Sequence, residues 1–204
     1  MNPDQVFERF VPPKAVAYCV KLYDHLDFEF KVKRARKTKL GDYRFTREDK
    51  KHTITVNNDL NKFAFLVTYL HEVAHLITFN EFKGRVDPHG NEWKENFKKI
   101  ASPMLTEDIF EKPVLVSLKS YFKNPKASSC SDPVLYQVLK KYDPPSDKLF
   151  LKELEKGDLF TFNEKTYKVE GKRRTRIEAL HINTNRLYLI SQLAEVSLIG
   201  KKTS

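Results

Sequence analysis

The chain has 204 residues, 40% hydrophobic and 31% charged, with 6 glycines and 10 prolines. That excludes a disordered, collagen-like or low-complexity chain and leaves room for a buried core. Lys+Arg 37 against Asp+Glu 27 gives a formal charge of +10, which favours polyanionic partners and says nothing about fold.

Two cysteines, Cys19 and Cys130, are too few for a disulfide framework or a four-cysteine zinc site. The first residues carry Asp4 and Glu8 where a signal peptide needs an apolar run. No uncharged apolar stretch approaches the ~18 residues of a membrane span. The expectation is a soluble cytoplasmic protein of mixed α and β structure with no membrane partner.

Residues 4 to 27 read as a helix in two pieces, hinged at Val11-Pro12-Pro13, with Val16, Cys19, Val20 and Tyr23 as a buried stripe. From Phe28 the period changes to two, predicting a strand through Val32. A turn at Thr38–Asp42 leads to a returning strand, Tyr43 to Arg47, and His52 to Val56 makes a third. Asn57-Asn58-Asp59 offers N-caps for a helix from about Leu60 to Lys83, with Gly84 as its C-cap.

A shorter helix carries Trp93, Phe97 and Ile100 on one face and stops at Pro103. Residues 104 to 123 are helical with an interruption at Pro113. The Ser- and Pro-rich stretch 126–148 reads as a connector around one short helix. Beyond it, five short β segments between 159 and 199 predict a small meander or barrel.

His71-Glu72-Val73-Ala74-His75 is an H-E-x-x-H motif inside the long helix. Residues i and i+4 stand one above the other on a helix face, so both imidazoles can reach one metal ion. Glu72, one position round, can face the same ion without ligating it and take a proton from a water there. With 6 His in the chain, such a motif arises by chance on the order of once in a hundred sequences. The apolar flanks Phe63–Val67 and Leu76-Ile77 make the helix central, where two histidines and an acid need partners. A catalytic zinc needs a third protein ligand, and His25, His52, His89, His181 and the carboxylates are the candidates.

The motif followed by His89-Gly90-Asn91-Glu92-Trp93-Lys94 resembles the SprT-like metalloproteases, which include the Spartan proteases that degrade proteins crosslinked to DNA. The resemblance covers about residues 4 to 101. It implies an α+β zincin-like metalloprotease domain, with helices packed on a small antiparallel or mixed sheet. It also implies one zinc per chain, with His71, His75 and His89 as ligands and Glu72 as the catalytic base. Many members carry a C-terminal zinc ribbon with paired cysteines, and this chain has no C-x-x-C. The stretch Tyr167 to Val196 faintly resembles that ribbon's layout without its ligands. It reads as a metal-free β module held by Phe160, Phe162, Tyr167, Ile177, Leu187 and Leu189.

Two cationic runs contain no acid: 31–39, with Lys31, Lys33, Arg34, Arg36 and Lys37, and 172–176, with Arg173, Arg174 and Arg176. Either could neutralise a DNA phosphate backbone, and either could equally guard an exposed strand edge.

The expected organisation is a SprT-like zincin domain (1–125), a connector (126–148) and a small all-β module (149–204). The expected function is zinc-dependent hydrolysis of protein or peptide substrates, DNA-associated ones among them, with the substrate pairing to His52–Val56 as an edge strand. The alternative is a non-catalytic nucleic-acid-binding or transcription-associated protein with a structural zinc.

Overall fold

The computed structural model describes residues 3–36, 38–126 and 132–200. Lys37 and Cys130, both singled out above, lie outside the described residues. The chain is mixed α+β and divides into two units, the first ending at Pro144 and the second starting at Pro145.

The first unit opens with α1 (Pro3–Phe10) and α2 (Val16–His25), separated at the expected proline hinge. Three strands follow: β1 (Glu29–Lys33), β2 (Gly41–Thr46) and β3 (Lys51–Asn57). Next come α3 (Lys62–Phe82), α4 (Asn91–Ala101), α5 (Lys112–Tyr121) and α6 (Pro133–Lys140). Pro113 begins α5 rather than interrupting a longer helix, because a proline in the first helical turn forfeits no hydrogen bond.

The sheet order corrects the expected one. It is β1-β3-β2, with β1 parallel and β2 antiparallel to β3. The strand expected at the edge, His52–Val56, is therefore central, and β2 is an edge. Burial explains the order: Ile54 and Val56 are fully buried on β3, while β1 and β2 keep only half-buried faces. The loop between β1 and β2 crosses the end of β3 and is fastened there by Asn57. Its side chain accepts from Arg36 Nε (2.7 Å) and donates to the Lys39 carbonyl (2.8 Å). Asn57 is thus a strand end, and the cap of α3 is Asn61, whose Oδ1 accepts from the amides of Phe63 (3.1 Å) and Ala64 (3.0 Å). Such a cap is worth about 1 kcal/mol.

Helix α3 is buried on most sides. Phe65, Leu66, Tyr69, Val73 and Leu76 are fully enclosed, each side chain contributing about 1.5–3 kcal/mol by leaving water. Phe7 of α1 and Phe30 of β1 pack on Tyr69 at 4.9 and 5.3 Å between ring centres. Leu135 and Leu139 of α6 belong to the same core. The helix ends at Lys83, left-handed at φ 54°, followed by Gly84 at φ 74°.

The second unit contains β4 (Leu149–Phe150), β5 (Leu159–Phe162), β6 (Lys165–Lys172), β7 (Arg176–His181), β8 (Arg186–Ser191) and β9 (Glu195–Gly200) in one sheet. Its order is β4-β9-β5-β6-β7-β8, with every pairing antiparallel. Phe160, Tyr167, Val169, Ile177, Ala179 and Ile190 share its buried face. Leu187 and Leu189, expected in that core, are 54% and 43% exposed. They alternate with the buried Ile190 on the edge strand β8 and so fall on its outer face.

Candidate metal centre

One turn of α3 carries His71 and His75, and a β-turn supplies the third imidazole. In Asp87-Pro88-His89-Gly90 the Gly90 amide donates to the Asp87 carbonyl (3.0 Å), and Pro88 pre-sets the turn. The three Nε2 atoms converge: His75 lies 3.1 Å from both His71 and His89, and His89 lies 3.4 Å from His71. Three nitrogens about 2.05 Å from one tetrahedral ion would stand about 3.3 Å apart. These spacings are therefore the edges of a ligand set, and the donor chemistry suits zinc.

Burial holds all three imidazoles neutral, as metal ligation requires. His71 is well below the usual histidine range, His75 is lowered to about 3 by burial and by His89, and His89 is lowered by burial. Trp93, fully buried on α4, backs all three rings, its centre 4.7, 5.3 and 4.9 Å from those of His71, His75 and His89. Trp93 thus packs on the three imidazoles themselves.

Glu72 is buried and lines the same cleft of about 490 Å³. Burial, then Asp42, push its pKa up to about 8, opposed by Arg36, a hydrogen bond from the Tyr43 main-chain amide, and Lys39. The edge strand β2 forms the facing wall. A β-carbon on Gly41 would stand 2.7 Å from Thr68 Cγ2 and 2.8 Å from Glu72 Cγ, so only glycine lets strand and helix approach this closely. The Tyr43 ring lies nearly parallel to that of His75 (6.3 Å, 9°), and its hydroxyl pairs with His52 Nδ1 (2.9 Å). Phe79, Val86 and Pro88 line the cleft as well.

The other candidates lie elsewhere. His25 bonds to the Lys21 carbonyl at the surface, His52 to Tyr43, and His181 to Thr184 Oγ1 in the second unit. Glu81 accepts from Asn96. Of the cationic runs, Lys33, Arg34 and Arg174 are exposed, while Lys31 pairs with Glu29 (2.7 Å) and Arg36 is half-buried on Asn57. Arg173 pairs with Glu178 (2.6 Å) and Arg176 donates to the Leu189 carbonyl. Sequence reasoning missed Gly41 and Tyr43. The turn chemistry around Gly41 was legible, but nothing local announces that β2 faces the motif helix.

Fold and cleft together define a mixed α+β domain with a candidate mononuclear metal site and a buried carboxylate beside it. Residues 14–114 match the model of the SprT-like family, and through this segment the chain belongs to that family, which is associated with zinc metallopeptidase-type proteins. The matched segment contains every residue of the centre. No curated protein and no solved structure shows significant similarity to the chain. Among the described residues, no helix is long and apolar enough to cross a membrane.

Proposed function

We propose that the first unit is a zincin-like zinc metallopeptidase domain. The observation that carries this reading is the convergence of three imidazole nitrogens in a cleft that also holds a buried, non-ligating carboxylate. His71, His75 and His89 would hold a zinc ion, which would supply Lewis acidity towards a water and the scissile carbonyl. Glu72 takes the water's proton and returns it to the departing amine. The amide of Tyr43 holds the carboxyl group in place; burial raises its pKa to about 8 in the metal-free protein, and a cation held by the three imidazoles would favour the ionised form that accepts a proton. An extended peptide adds to the free edge of β2, whose residues Gly41 to Tyr43 border the reacting centre.

Protein and peptide substrates follow from this arrangement. DNA-associated substrates remain within the proposal, with exposed Lys33, Arg34 and Arg174 offering phosphate contacts. The test is zinc content together with cleavage of an unfolded protein, with and without DNA, by wild type and Glu72→Gln. Zinc in both proteins and cleavage only by wild type is expected. Equal cleavage by both would remove Glu72 from the chemistry, and zinc with no cleavage by either would favour a structural site.

A further inference from the structure

The outer face of the three-stranded sheet, turned away from α3, carries a second cavity of about 360 Å³, near the lower end of ligand-pocket sizes. Its floor is Thr53 and Thr55 of β3, and the loop after β1 folds over one end. Among the described residues, two buried side-chain polar atoms have no hydrogen-bond partner: Arg36 Nη2 and Thr55 Oγ1. Both residues line this cavity. Thr55 is 8% exposed, and Arg36 is anchored through its Nε to Asn57. A buried polar group left unpaired is destabilising, and two in one small cavity point to a ligand that satisfies both.

The charge around them fixes the kind of ligand. Five cations line the cavity against one carboxylate, Asp42. Asp42 engages Lys39 (2.8 Å) and Arg44 (3.8 Å), and Glu29 draws Lys31 (2.7 Å); two carboxylates do not offset five cations, so the cavity keeps an excess of positive charge. Both unpaired groups can act as donors, Arg36 by necessity. A guanidinium N–H and a hydroxyl over a cationic floor suit a small tetrahedral dianion better than a single carboxylate.

We propose that this outer cavity is a binding site for a phosphate monoester, with Arg36 Nη2 and Thr55 Oγ1 as direct donors and Lys31, Lys33 and Arg44 supplying the surrounding charge. The site is separate from the imidazole cluster and does not depend on peptidase activity. It borders the cleft through Lys39 and Asp42, which line both cavities.

The test titrates the full chain with inorganic phosphate at constant ionic strength, reading melting temperature and calorimetric affinity. Saturable stabilisation of wild type is expected. Thr55→Val keeps the β-branched shape and deletes the unpaired hydroxyl. Its phosphate-free melting temperature should equal or exceed that of wild type, while phosphate binds about tenfold or more weakly, as loss of a hydrogen bond to a charged group requires. Arg36→Gln, whose amide can still reach Asn57, should weaken phosphate further. Equal binding by wild type and Thr55→Val, or no saturable response in wild type, would overturn the proposal. So would a single-stranded oligonucleotide without terminal phosphates that displaces inorganic phosphate and weakens equally in Thr55→Val, since the cavity would then read a backbone diester.

Discussion

His75 in the first unit and His181 in the second are both largely enclosed, yet their surroundings differ in kind. His181 is 7% exposed, bonds to Thr184 Oγ1 at 2.6 Å and packs against the rings of Tyr167 and Tyr188. It is complete within its own unit. His75 has only two other imidazole nitrogens before its Nε2, at 3.1 Å each. Three neutral rings cannot all satisfy one another, whereas one cation satisfies all three. Burial alone therefore does not mark a candidate ligand; burial without a sufficient protein partner is the better sign.

The contrast is sharpest on removing each ring. His75→Ala should lower zinc affinity by more than the ~10–100-fold typical of losing an outer-shell partner, read by competition with a chelator. Full zinc occupancy in that variant would break the comparison at its root. Glu72→Gln comes next: zinc content and melting temperature hold while kcat falls by about 10²–10⁴, the usual worth of general-base assistance. Gly41→Ala should cost less, about 10²-fold in kcat, because its methyl displaces Glu72 from the reacting centre without touching a ligand. Unchanged zinc with reduced cleavage is the expected pair of readings.

pH separates the groups in the metal-free protein. The folded imidazoles stay neutral, His75 down to about 3, while the unfolded chain protonates them below 6.5. The unfolded state then binds more protons, and stability falls as pH drops below 6.5. Glu72 acts with the opposite sign. Folded, it keeps its proton to about pH 8; unfolded, it loses it near 4.5, so its contribution declines as pH rises between these values. Three groups outweigh one below 6.5, and Glu72 dominates above it. The metal-free melting temperature should peak near pH 6.5, and Glu72→Gln should flatten the decline from there to pH 8. The smallest effect belongs to the second unit: His181→Gln should cost about 1 kcal/mol, through the Thr184 hydrogen bond and ring packing, and leave zinc and cleavage unchanged.

What the sequence made legible follows from the range of the forces involved. The motif helix and the turn carrying His89 are local, since helical period and turn chemistry act over a few residues; the helix's C-cap falls on Lys83, one residue before the expected Gly84. The second unit's strands were readable for the same reason. Strand order was not, because the crossing of the β1–β2 loop over β3 depends on Asn57, a residue indistinguishable in sequence from its capping neighbours. The exposed faces of Leu187 and Leu189 escaped likewise: an apolar strand at the sheet's edge reads like one in its middle. The cationic runs looked acid-free because their partners, Glu29, Asp42 and Glu178, reach them across strands or from beyond each run.

The amide of Asn61 does more than cap the helix that carries His71 and His75. Its Nδ2 donates to the Leu139 carbonyl of α6 (2.9 Å), while at the other end of the sequence Phe7 packs on Tyr69. Both fastenings lie outside the segment that defines the family. A fragment trimmed to residues 14–114 would keep every residue of the candidate centre and lose the two clamps that hold their helix in place. Limited digestion that severs the chain between α5 and α6 should therefore release metal although no bond near the imidazoles is cut.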